Sequence, residues 1–590
     1  MSDYHAPVKD MLFVLRDLAG LQAISQLPEY GEATPDLVEA ILEEAAQFAA
    51  GVIAPVNTIG DSQGTRVEEG QVRVPAEFKA AYRQFVDNGW GSLAQSADHG
   101  GQGMPYVIGL AVEEMWQSAS LAWSLCPLLT QGAVRAIQEH GDERLKGLVL
   151  KKMIAGEWTG TMNLTEPQSG SDLSTVRATA EPDGDAHRIT GQKIYITWGD
   201  HDMTENVMHL VLARLPGAPA GTRGISLFVV PKRHIQDDGT SGDANAVWPV
   251  SVEHKLGIHG SPTCVMAYDK ALGYLLGPEN QGLACMFTMM NHARIGVGLE
   301  GVAVSERAYQ QALAYARDRV QGPVAGLEAK AAIVHHPDVR RMLMSMKAQI
   351  EAMRALALVT GSHLDHGERN PDESARAAHL ARAQLLTPVV KGWCTETAQY
   401  LTSLAIQVFG GMGYVEETGV AQHFRDARIT TIYEGTTGIQ ANDLMGRKTL
   451  RDKGQAFKAL LADIRVTQDE LAARPELAGI ATALAAGTQA LQTALDWILA
   501  HAADDAVEAG GAAFNFLMLS GVVTGGWQLA RAATVAAERV AQGDGDAAFY
   551  AAKLATANFY CQQIMPQASA YSLAVTGGAA AIMALPEDQL

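Results

Sequence analysis

The amino-acid sequence predicts a mainly helical α+β protein in which a compact β-domain lies between helical regions. Two observations carry this prediction. Before about residue 158 and after about residue 279, apolar residues recur three and four positions apart, which is the helical period. Between these regions, short β-rich runs are separated by Gly, Pro, Asp and Asn, as in an all-β domain.

The length of the chain allows several domains. At about 150 residues per domain, 590 residues correspond to roughly four. Apolar residues make up 47% and charged residues 19%, so a large core can form without metals or disulfides. The changes of pattern divide the chain into an N-terminal extension (1–34), a helical domain (35–158), a β-barrel domain (159–278), a helical bundle (279–448) and an extra helical domain (449–590).

The first predicted long helix begins beside Thr34, a good N-cap residue, and Pro35 fits its first helical position. Asp36 complements the positive end of the helix. The glycines within residues 98–105 predict a loop before a later helix. One apolar face of the first helix is predicted to consist of Leu37, Ile41, Leu42 and Phe48.

The stretch 159–278 is predicted to be a small β-barrel or sandwich, because its strands are short and no long helical run separates them. Turn-forming residues connect the strands, for example in 217–224 and 236–246. The predicted β-rich runs include Ile189, 194–197, 207–212, 225–230, 250–252 and 264–268.

Helical periodicity returns after this stretch, with apolar faces in 286–290, 309–315 and 339–357. The last, alanine-rich region is also predicted to be helical, since its regular apolar spacing indicates packing and not disorder. Its helices are predicted to be separated by Pro475 and by the glycines of 509–511, 525–526 and 543–545. The apolar positions of this region are Leu477, Ile480, Leu484, Leu491, Leu495 and Ile498.

The charge and the cysteine content exclude several classes of function. A formal net charge of −20 disfavours a non-specific grip on phosphate backbones or anionic lipid, while a local basic pocket stays compatible with it. Five scattered cysteines without a Cys-x-x-Cys pair predict packing roles, no metal site and a reducing compartment. We see no secretory signal and no apolar run near ~20 residues, so we expect a cytoplasmic protein without a membrane span.

Two segments at the β-domain could bind a polar or planar ligand. TEPQSGSD (165–172) offers hydroxyls and turn-forming main-chain donors, but it could equally be a loop whose Ser and Asp cap neighbouring backbone. In KIYITWG (193–199), Tyr195 and Thr197 alternate on one strand face, where they could cover a planar ring and hydrogen-bond to it. A half-buried strand explains the same alternation.

Two further segments lie in the second helical region. The glycines of QVFGGMGY (407–414) would let a ligand's pyrophosphate approach the backbone, although this is not G-x-G-x-x-G and a glycine-rich helix end is the plain alternative. RDARITTIYEGTTGIQ (425–440) sets one glutamate, Glu434, among apolar and hydroxyl residues. Partial desolvation would make that carboxylate a better proton acceptor, whereas a surface glutamate at a turn is the other interpretation.

In this order and at these separations, the four segments resemble the acyl-CoA dehydrogenase family over roughly residues 35–445. The resemblance implies a helical lobe, a β-barrel, a four-helix bundle and an FAD cofactor. The added C-terminal length is similar to a branch that includes 3-(methylthio)propanoyl-CoA dehydrogenases. We therefore expect α,β-dehydrogenation of an acyl-CoA thioester, either 3-(methylthio)propanoyl-CoA or a fatty acyl-CoA in β-oxidation.

The resemblance also implies which residues contact the flavin. Thr165 and Ser171 match the family's flavin-binding TEP-x-x-GSD positions, and Tyr195 stands where the family usually has tryptophan. Gln407 and the glycines after it would contact the adenosine diphosphate end across a subunit interface, which requires at least a dimer. The remaining implied cofactor contacts are Thr197, Arg319, Gly410, Gly411, Thr436 and Thr437.

Glu434 matches the family's catalytic base. It would take the α-proton of the thioester while the β-hydrogen leaves as hydride to flavin N5. The resemblance assigns polarisation of the thioester carbonyl to the backbone N–H of Glu434 and a flavin hydroxyl. The implied substrate contacts are Ser171, Asn291, Arg294, Tyr433 and Gly435.

The resemblance implies two kinds of protein partner and leaves two alternative functions. Electrons would pass from the flavin to an electron-transfer flavoprotein, and the extra helices favour a homodimer over a tetramer. An acyl-CoA oxidase shares the same site but lets oxygen reoxidise the flavin. A flavin-bearing nucleic-acid-protective protein is the other alternative, against which the net charge of −20 and the intact Glu434 argue.

Overall fold

The computed structural model describes residues 4–236, 238–326, 330–543 and 545–590. The chain forms two compact units: one combines the chain up to Glu43 with Val297–Leu590, and the other comprises Glu44–Gly296. The first three residues of the predicted N-terminal extension, and Asp237 within the predicted turn 236–246, lie outside the described residues.

Helices dominate both ends of the chain, and the mainly helical α+β class is confirmed. Before the main sheet they are α1 (Val8–Phe13), α2 (Leu21–Ile24), α3 (Pro35–Phe48), α4 (Asn57–Gln63), α5 (Ala76–Asp87), α6 (Tyr106–Ala119), α7 (Leu121–His140) and α8 (Glu143–Ala155). After it they are α9 (Gly282–Asp318), α10 (Pro337–Arg369), α11 (Glu373–Phe409), α12 (Val420–Ala427), α13 (Thr437–Asn442), α14 (Gln455–Ala472), α15 (Ala478–His501), α16 (Ala506–Gln542), α17 (Ala547–Gln563) and α18 (Gln567–Thr576).

Every predicted β-rich run falls in or directly beside a β-strand. The two short strands at 66–68 and 71–73 lie in the predicted helical domain and were not predicted. The strands are β1 (Arg66–Glu68), β2 (Gln71–Arg73), β3 (Trp158–Asn163), β4 (Thr179–Asp183), β5 (Ala186–Thr197), β6 (Asn206–Ala213), β7 (Ser226–Pro231), β8 (Arg233–Ile235), β9 (Ser241–Ala244), β10 (Val247–Val252) and β11 (Thr263–Leu276).

The unit Glu44–Gly296 contains one seven-stranded sheet, with strand order β3-β6-β7-β11-β5-β4 and with β10 pairing β11. Strands β3 and β6 run parallel, and the other neighbours are antiparallel. Trp158 and Leu210 of the sheet are buried in one cluster with Val149 of α8 and Met289 of α9. All five cysteines of the chain are buried and none is in a disulfide, as the packing interpretation predicts.

The predicted helix at residue 35 is confirmed, but its apolar face is shifted. The Thr34 hydroxyl accepts a hydrogen bond from the Leu37 N–H at 3.3 Å, as an N-cap does. Leu37 is 39% exposed, whereas Val38 and Leu42 are fully buried. The prediction for Leu37 was therefore wrong, because the buried face is centred one residue further along the helix.

The last region confirms the predicted apolar spacing and corrects the role of its glycines. Gly525 and Gly526 lie inside α16, where an added Cβ would meet the Trp393 ring at 2.5 Å and the Met565 side chain at 2.2 Å. These glycines permit close helix packing, because any side chain there would overlap a neighbouring residue. They do not separate helices. The predicted apolar positions Leu477, Ile480, Leu484, Leu491, Leu495 and Ile498 are all buried.

Helix α16 is long and apolar enough to cross a membrane by length and composition alone. The most apolar window has a mean hydropathy of 1.4, and 56% of it is buried within the protein. This helix was not predicted as a candidate membrane span, because no apolar run near ~20 residues was recognised in the sequence. A single helix of this kind is weak evidence for a membrane span, because the core helix of a soluble protein can have the same length and apolar composition.

Buried charges tie the N-terminal segment to the helices of its own unit. The Asp10 carboxylate pairs with Arg354 of α10 at 2.7 Å and with Lys553 of α17. Lys553 also pairs with Glu351 at 2.9 Å, and Arg354 with Glu306 at 2.8 Å. Burial raises the pKa of Asp10, but the two cations outweigh it and hold that pKa well below its usual range.

Candidate active site

Glu434 lies in a tight turn between α12 and α13. Its backbone φ is 55°, a left-handed conformation that few residues other than glycine adopt, and Gly435 follows with φ 87°. Such a conformation costs about 1–3 kcal/mol and persists only where the surroundings enforce it. Two consecutive left-handed residues reverse the chain, so that Thr436 can cap α13 by accepting a hydrogen bond from the Ile439 N–H at 3.3 Å.

The main-chain carbonyls at this turn are held by two buried side chains. The Gln440 amide donates to the carbonyl oxygens of Glu434 and Gly435, at 3.2 Å each. The Lys391 ammonium of α11 donates to the Gly435 carbonyl at 2.8 Å. Glycine is required at 435 for space as well as conformation, because a Cβ there would lie 2.7 Å from the Gln440 nitrogen.

Tyr433, the residue before the base candidate, is also anchored. Its hydroxyl donates a hydrogen bond to the carboxylate of Glu300 on α9, which is fully buried. Burial raises the pKa of Tyr433 well above its usual range, and the negative charges of Glu300 and Glu434 raise it further. The phenol therefore stays protonated and remains a donor to Glu300.

The hydroxyls of Thr436 and Thr437, both predicted flavin contacts, face different surroundings. Thr436 is partly exposed and caps α13. Thr437 is buried, and its hydroxyl donates to Glu396 of α11 at 2.5 Å. The Thr437 hydroxyl is therefore hydrogen-bonded to a side chain of α11.

In the other unit, the loop TEPQSGSD is organised around Glu166. The Glu166 carboxylate accepts hydrogen bonds from the N–H groups of Arg177 at 2.7 Å and Ala178 at 3.0 Å. It also accepts from the Gln168 amide at 2.6 Å and pairs with Lys193 of β5 at 2.8 Å. Burial raises the pKa of Glu166, but the Lys193 charge and these donors outweigh it and lower the pKa overall.

Lys193 completes this anchor. The side chain is fully buried, and its ammonium also donates to the Leu164 carbonyl at 3.0 Å. Burial lowers the pKa of Lys193 to about 8, although the Glu166 carboxylate opposes that shift. The predicted flavin contacts of the loop lie at its surface: Thr165 is partly exposed and Ser171 is exposed.

The predicted pair Tyr195 and Thr197 lies at the end of β5. The register of β5 against β11 is interrupted between Lys193 and Ile196, which marks a β-bulge, and Tyr195 has φ 59°. Lys193 and Ile196 are buried, whereas Tyr195 is 61% exposed and Thr197 is partly exposed. The two predicted residues are therefore both accessible, with a buried residue between them.

Asn291 and Arg294, the predicted substrate contacts on α9, differ in exposure. Asn291 is exposed, whereas Arg294 is buried beside the Phe287 ring. An Arg294 N–H donates to the Asn291 side-chain oxygen at 3.4 Å. His292 lies between these two residues in the sequence. Burial lowers the pKa of His292 to about 3, so its imidazole is neutral at physiological pH.

Arg319 and the glycine segment are brought together at one end of their unit. The Tyr315 ring, one helical turn before Arg319, stacks on Phe409 with ring centres 4.2 Å apart. Phe409 directly precedes Gly410, which has φ 62° and ends α11. The exposed residues here are Arg319, Gln407, Gly410 and Gly411.

Five residues that anchor these segments were not predicted from the sequence: Glu166, Lys193, Gln440, Lys391 and Glu300. Glu166 and Lys193 are opposite charges inside two of the quoted segments, and that pairing was an available signal. Lys391 is a lone charge in the apolar run PVVKGW, and a buried lysine requires an acceptor. Its acceptor is a main-chain carbonyl 44 positions away, which no side chain marks.

The accessible groups fit the parts of FAD by their chemistry. Tyr195 offers an exposed aromatic face, Ser171 an exposed hydroxyl and Arg319 an exposed cation that suits a diphosphate. Gly410 and Gly411 present bare main chain at the surface. Across the described part of the chain, no group of three or more His, Cys, Asp or Glu residues is arranged to hold a metal ion.

Four family models match the chain in succession. "Acyl-CoA dehydrogenase, N-terminal domain" matches residues 35–157, and the middle domain of the same family matches 161–271. "Acyl-CoA dehydrogenase, C-terminal domain" matches 280–449. "Acetyl-CoA dehydrogenase C-terminal like" matches 460–586, the region predicted as an extra helical domain.

Curated and solved relatives resemble the chain over nearly its whole length. A 3-methylmercaptopropionyl-CoA dehydrogenase of Ruegeria pomeroyi is 50% identical over 97% of this chain and 98% of its own. Caenorhabditis elegans ACDH-11 in complex with C11-CoA has a TM-score of 0.76 at 20% identity, over 96% and 93% of the two chains. A Bacillus anthracis acyl-CoA dehydrogenase complexed with FAD has a TM-score of 0.74 at 20% identity, over 94% and 90%. The structural likenesses at this identity show the fold.

Proposed function

The chain belongs to the acyl-CoA dehydrogenase family, and on that premise we propose that Glu434 removes the α-proton of an acyl-CoA thioester whose acyl group is 3-(methylthio)propanoyl. The enzyme is an FAD-dependent oxidoreductase. The observation that carries the role of Glu434 is its left-handed turn, in which Gln440 holds the carbonyls of Glu434 and Gly435 and Lys391 holds that of Gly435.

When bound, FAD supplies the acceptor for the β-hydride at flavin N5. Thr165, Ser171, Tyr195 and Thr197 are the residues of the Glu44–Gly296 unit that we propose hold its ring. The residues proposed for the rest of the cofactor are Arg319, Gln407, Gly410, Gly411, Thr436 and Thr437.

The chain's own residues supply the proton chemistry in this proposal. Glu434 accepts the α-proton, and its backbone N–H polarises the thioester oxygen so that this proton becomes acidic. Tyr433 and Gly435 border the acyl group, and Ser171, Asn291 and Arg294 contact the substrate. General-base catalysis of this kind contributes roughly 10²–10⁴-fold in rate.

The substrate proposal rests on the 50% identity to the Ruegeria pomeroyi enzyme over 97% of the chain. Anaerobic bleaching of the flavin band would test it with 3-(methylthio)propanoyl-CoA, butanoyl-CoA and octanoyl-CoA. We expect the ratio of the limiting rate of flavin reduction to the half-saturating concentration to be highest with 3-(methylthio)propanoyl-CoA. A clear preference for octanoyl-CoA would contradict the proposal and favour a fatty acyl-CoA of β-oxidation.

We further propose that an electron-transfer flavoprotein reoxidises the enzyme. Neither the oxidase nor the nucleic-acid-protective alternative gains support from the relatives, which bear dehydrogenase names. Stopped-flow reoxidation in air, compared with an electron-transfer flavoprotein, tests this. Rapid reoxidation by oxygen alone would identify an oxidase.

A homodimer and a cytoplasmic location complete the proposal. The segment after α11 exposes two large apolar side chains, Met412 at 49% and Tyr414 at 91%, beside the glycines proposed to reach a partner's cofactor. Light scattering should therefore give the mass of two chains, and four would contradict it. Recovery of the native protein in the membrane fraction would contradict the location.

A further inference from the structure

The turn that carries Glu434 is gripped from two directions. Gln440 reaches back from the first turn of α13 and donates to the carbonyls of both Glu434 and Gly435. Lys391 reaches across from α11 and donates to the Gly435 carbonyl at 2.8 Å. The Gly435 oxygen therefore accepts from two side chains that belong to different helices.

This grip acts on the part of the backbone that defines the direction of the Glu434 side chain. With φ 55° at Glu434 and φ 87° at Gly435, the two peptide planes after the base point their oxygens toward Gln440 and Lys391. Without these donors, two carbonyls would lose their partners and the left-handed conformation would lose its support. The side chain of Glu434 would then sample other directions.

Lys391 is itself held in place by the C-terminal region. The next residue, Gly392, lies so close to α16 that an added Cβ would meet Leu517 at 2.4 Å. Trp393 lies against Gly521 and Gly525 of the same helix, at 2.0 Å and 2.5 Å from the Cβ positions that these glycines lack. Close packing of α11 on α16 thus leaves Lys391 little freedom to withdraw from Gly435.

We propose that Lys391 and Gln440 are positioning residues for the base: they hold the two carbonyls at the turn and so keep the Glu434 carboxylate in its reactive orientation. This inference rests on the proposed role of Glu434. It assigns a function to a buried lysine outside the predicted site and, through α16, links the C-terminal region to catalysis. A loss of orientation lowers the rate of the chemical step and leaves substrate binding largely unchanged.

The test uses anaerobic reduction of the flavin by 3-(methylthio)propanoyl-CoA in the full-length holoenzyme. Lys391→Met removes the donor at similar size, and Lys391→Arg keeps a charged donor. We expect Lys391→Met to lower the limiting rate about 10–100-fold with a half-saturating concentration within about 3-fold of wild type. Lys391→Arg should recover part of that rate. Gln440→Leu, which removes no charge, should also lower the limiting rate selectively.

The control is Thr402→Val, which removes another buried hydrogen-bond donor from α11, one whose acceptor is the Ala398 carbonyl of the same helix. It should leave the limiting rate within about 2-fold of wild type. The ratio of flavin to protein absorbance and the melting temperature verify that each variant is folded and loaded. Should Lys391→Met not fold, Gln440→Leu decides alone.

Three results would each overturn either the positioning inference or the proposed function. If Glu434→Gln abolishes bleaching but Lys391→Met and Gln440→Leu reduce flavin at the wild-type rate, the positioning inference is wrong and the base is right. If Glu434→Gln bleaches normally, the proposed function itself fails. A rise in the half-saturating concentration with an unchanged limiting rate would assign Lys391 to substrate binding and would also reject the inference.

Discussion

The TEPQSGSD loop and the YEGTTG segment each carry one glutamate among turn-forming residues, and the structure holds the two glutamates in opposite ways. The Glu166 carboxylate is surrounded by donors: two backbone N–H groups, an amide and the Lys193 ammonium. At Glu434 the donors from Gln440 and Lys391 instead reach the main-chain oxygens of the turn. The Glu434 side chain itself is partly exposed.

The difference separates a structural carboxylate, Glu166, from Glu434, the carboxylate that we propose takes the proton. Hydrogen bonds and a cation stabilise the charged form of Glu166, which lowers its pKa and makes it a poor base. Glu434 occupies a conformation that costs energy and that other residues enforce. Donors that hold the main-chain oxygens of the turn fix the backbone from which the Glu434 side chain projects. The role of a glutamate in such a motif is therefore inferred from whether the surrounding donors bind its carboxylate or the main chain beside it.

The largest expected effect is on the rate of flavin reduction and comes from replacing Glu434, the proposed base. Glu434→Gln keeps the size of the side chain but removes its ability to take a proton, so flavin reduction by acyl-CoA should fall by about 10³-fold or more. Anaerobic stopped-flow bleaching measures this rate. FAD content should be unchanged, since the Glu434 side chain is not one of the proposed cofactor contacts. Normal turnover by this variant would contradict the assignment.

Removal of the other glutamate should affect stability. Glu166→Ala leaves the buried Lys193 ammonium without its carboxylate, and breaking such a pair costs about 3–5 kcal/mol. We expect a lower midpoint in urea unfolding and weaker retention of FAD. Glu143→Ala is the matched control, because Glu143 pairs with Lys146 at 3.1 Å and is 90% exposed. That surface pair should contribute less than about 1 kcal/mol.

Acid sharpens the same contrast. The pKa of Glu166 is lowered in the folded state, so its contribution to stability is complete above its unfolded value of about 4.3 and is lost as pH falls through the lowered value. Melting temperatures of wild type and Glu166→Gln should therefore converge as the pH drops below about 4. A difference that stays constant to pH 3 would show that ionisation of Glu166 does not account for it.

The sequence could predict the fold and the position of the base candidate, but not what holds them. Periodicity locates the helices and strands because side-chain burial repeats along each element. The glycines of α16 were misjudged, since a glycine marks a helix break and a close helix contact with the same letter. Lys391 was missed because its acceptor is a main-chain oxygen, and the donors of Glu166 are likewise largely main-chain N–H groups.

The smallest expected effect concerns Tyr195, where the family usually has tryptophan. Because Tyr195 is 61% exposed and lies on a β-bulge, Tyr195→Trp displaces no core residue, and the free energy of unfolding should change by less than about 0.5 kcal/mol. If the ring covers the flavin, the larger indole should keep FAD affinity within a few-fold, whereas Tyr195→Ala should weaken it. Titration of the apoprotein with FAD measures both variants. Equal affinities for wild type and Tyr195→Ala would remove Tyr195 from the cofactor site while leaving the anchor of Glu166 and Lys193 untouched.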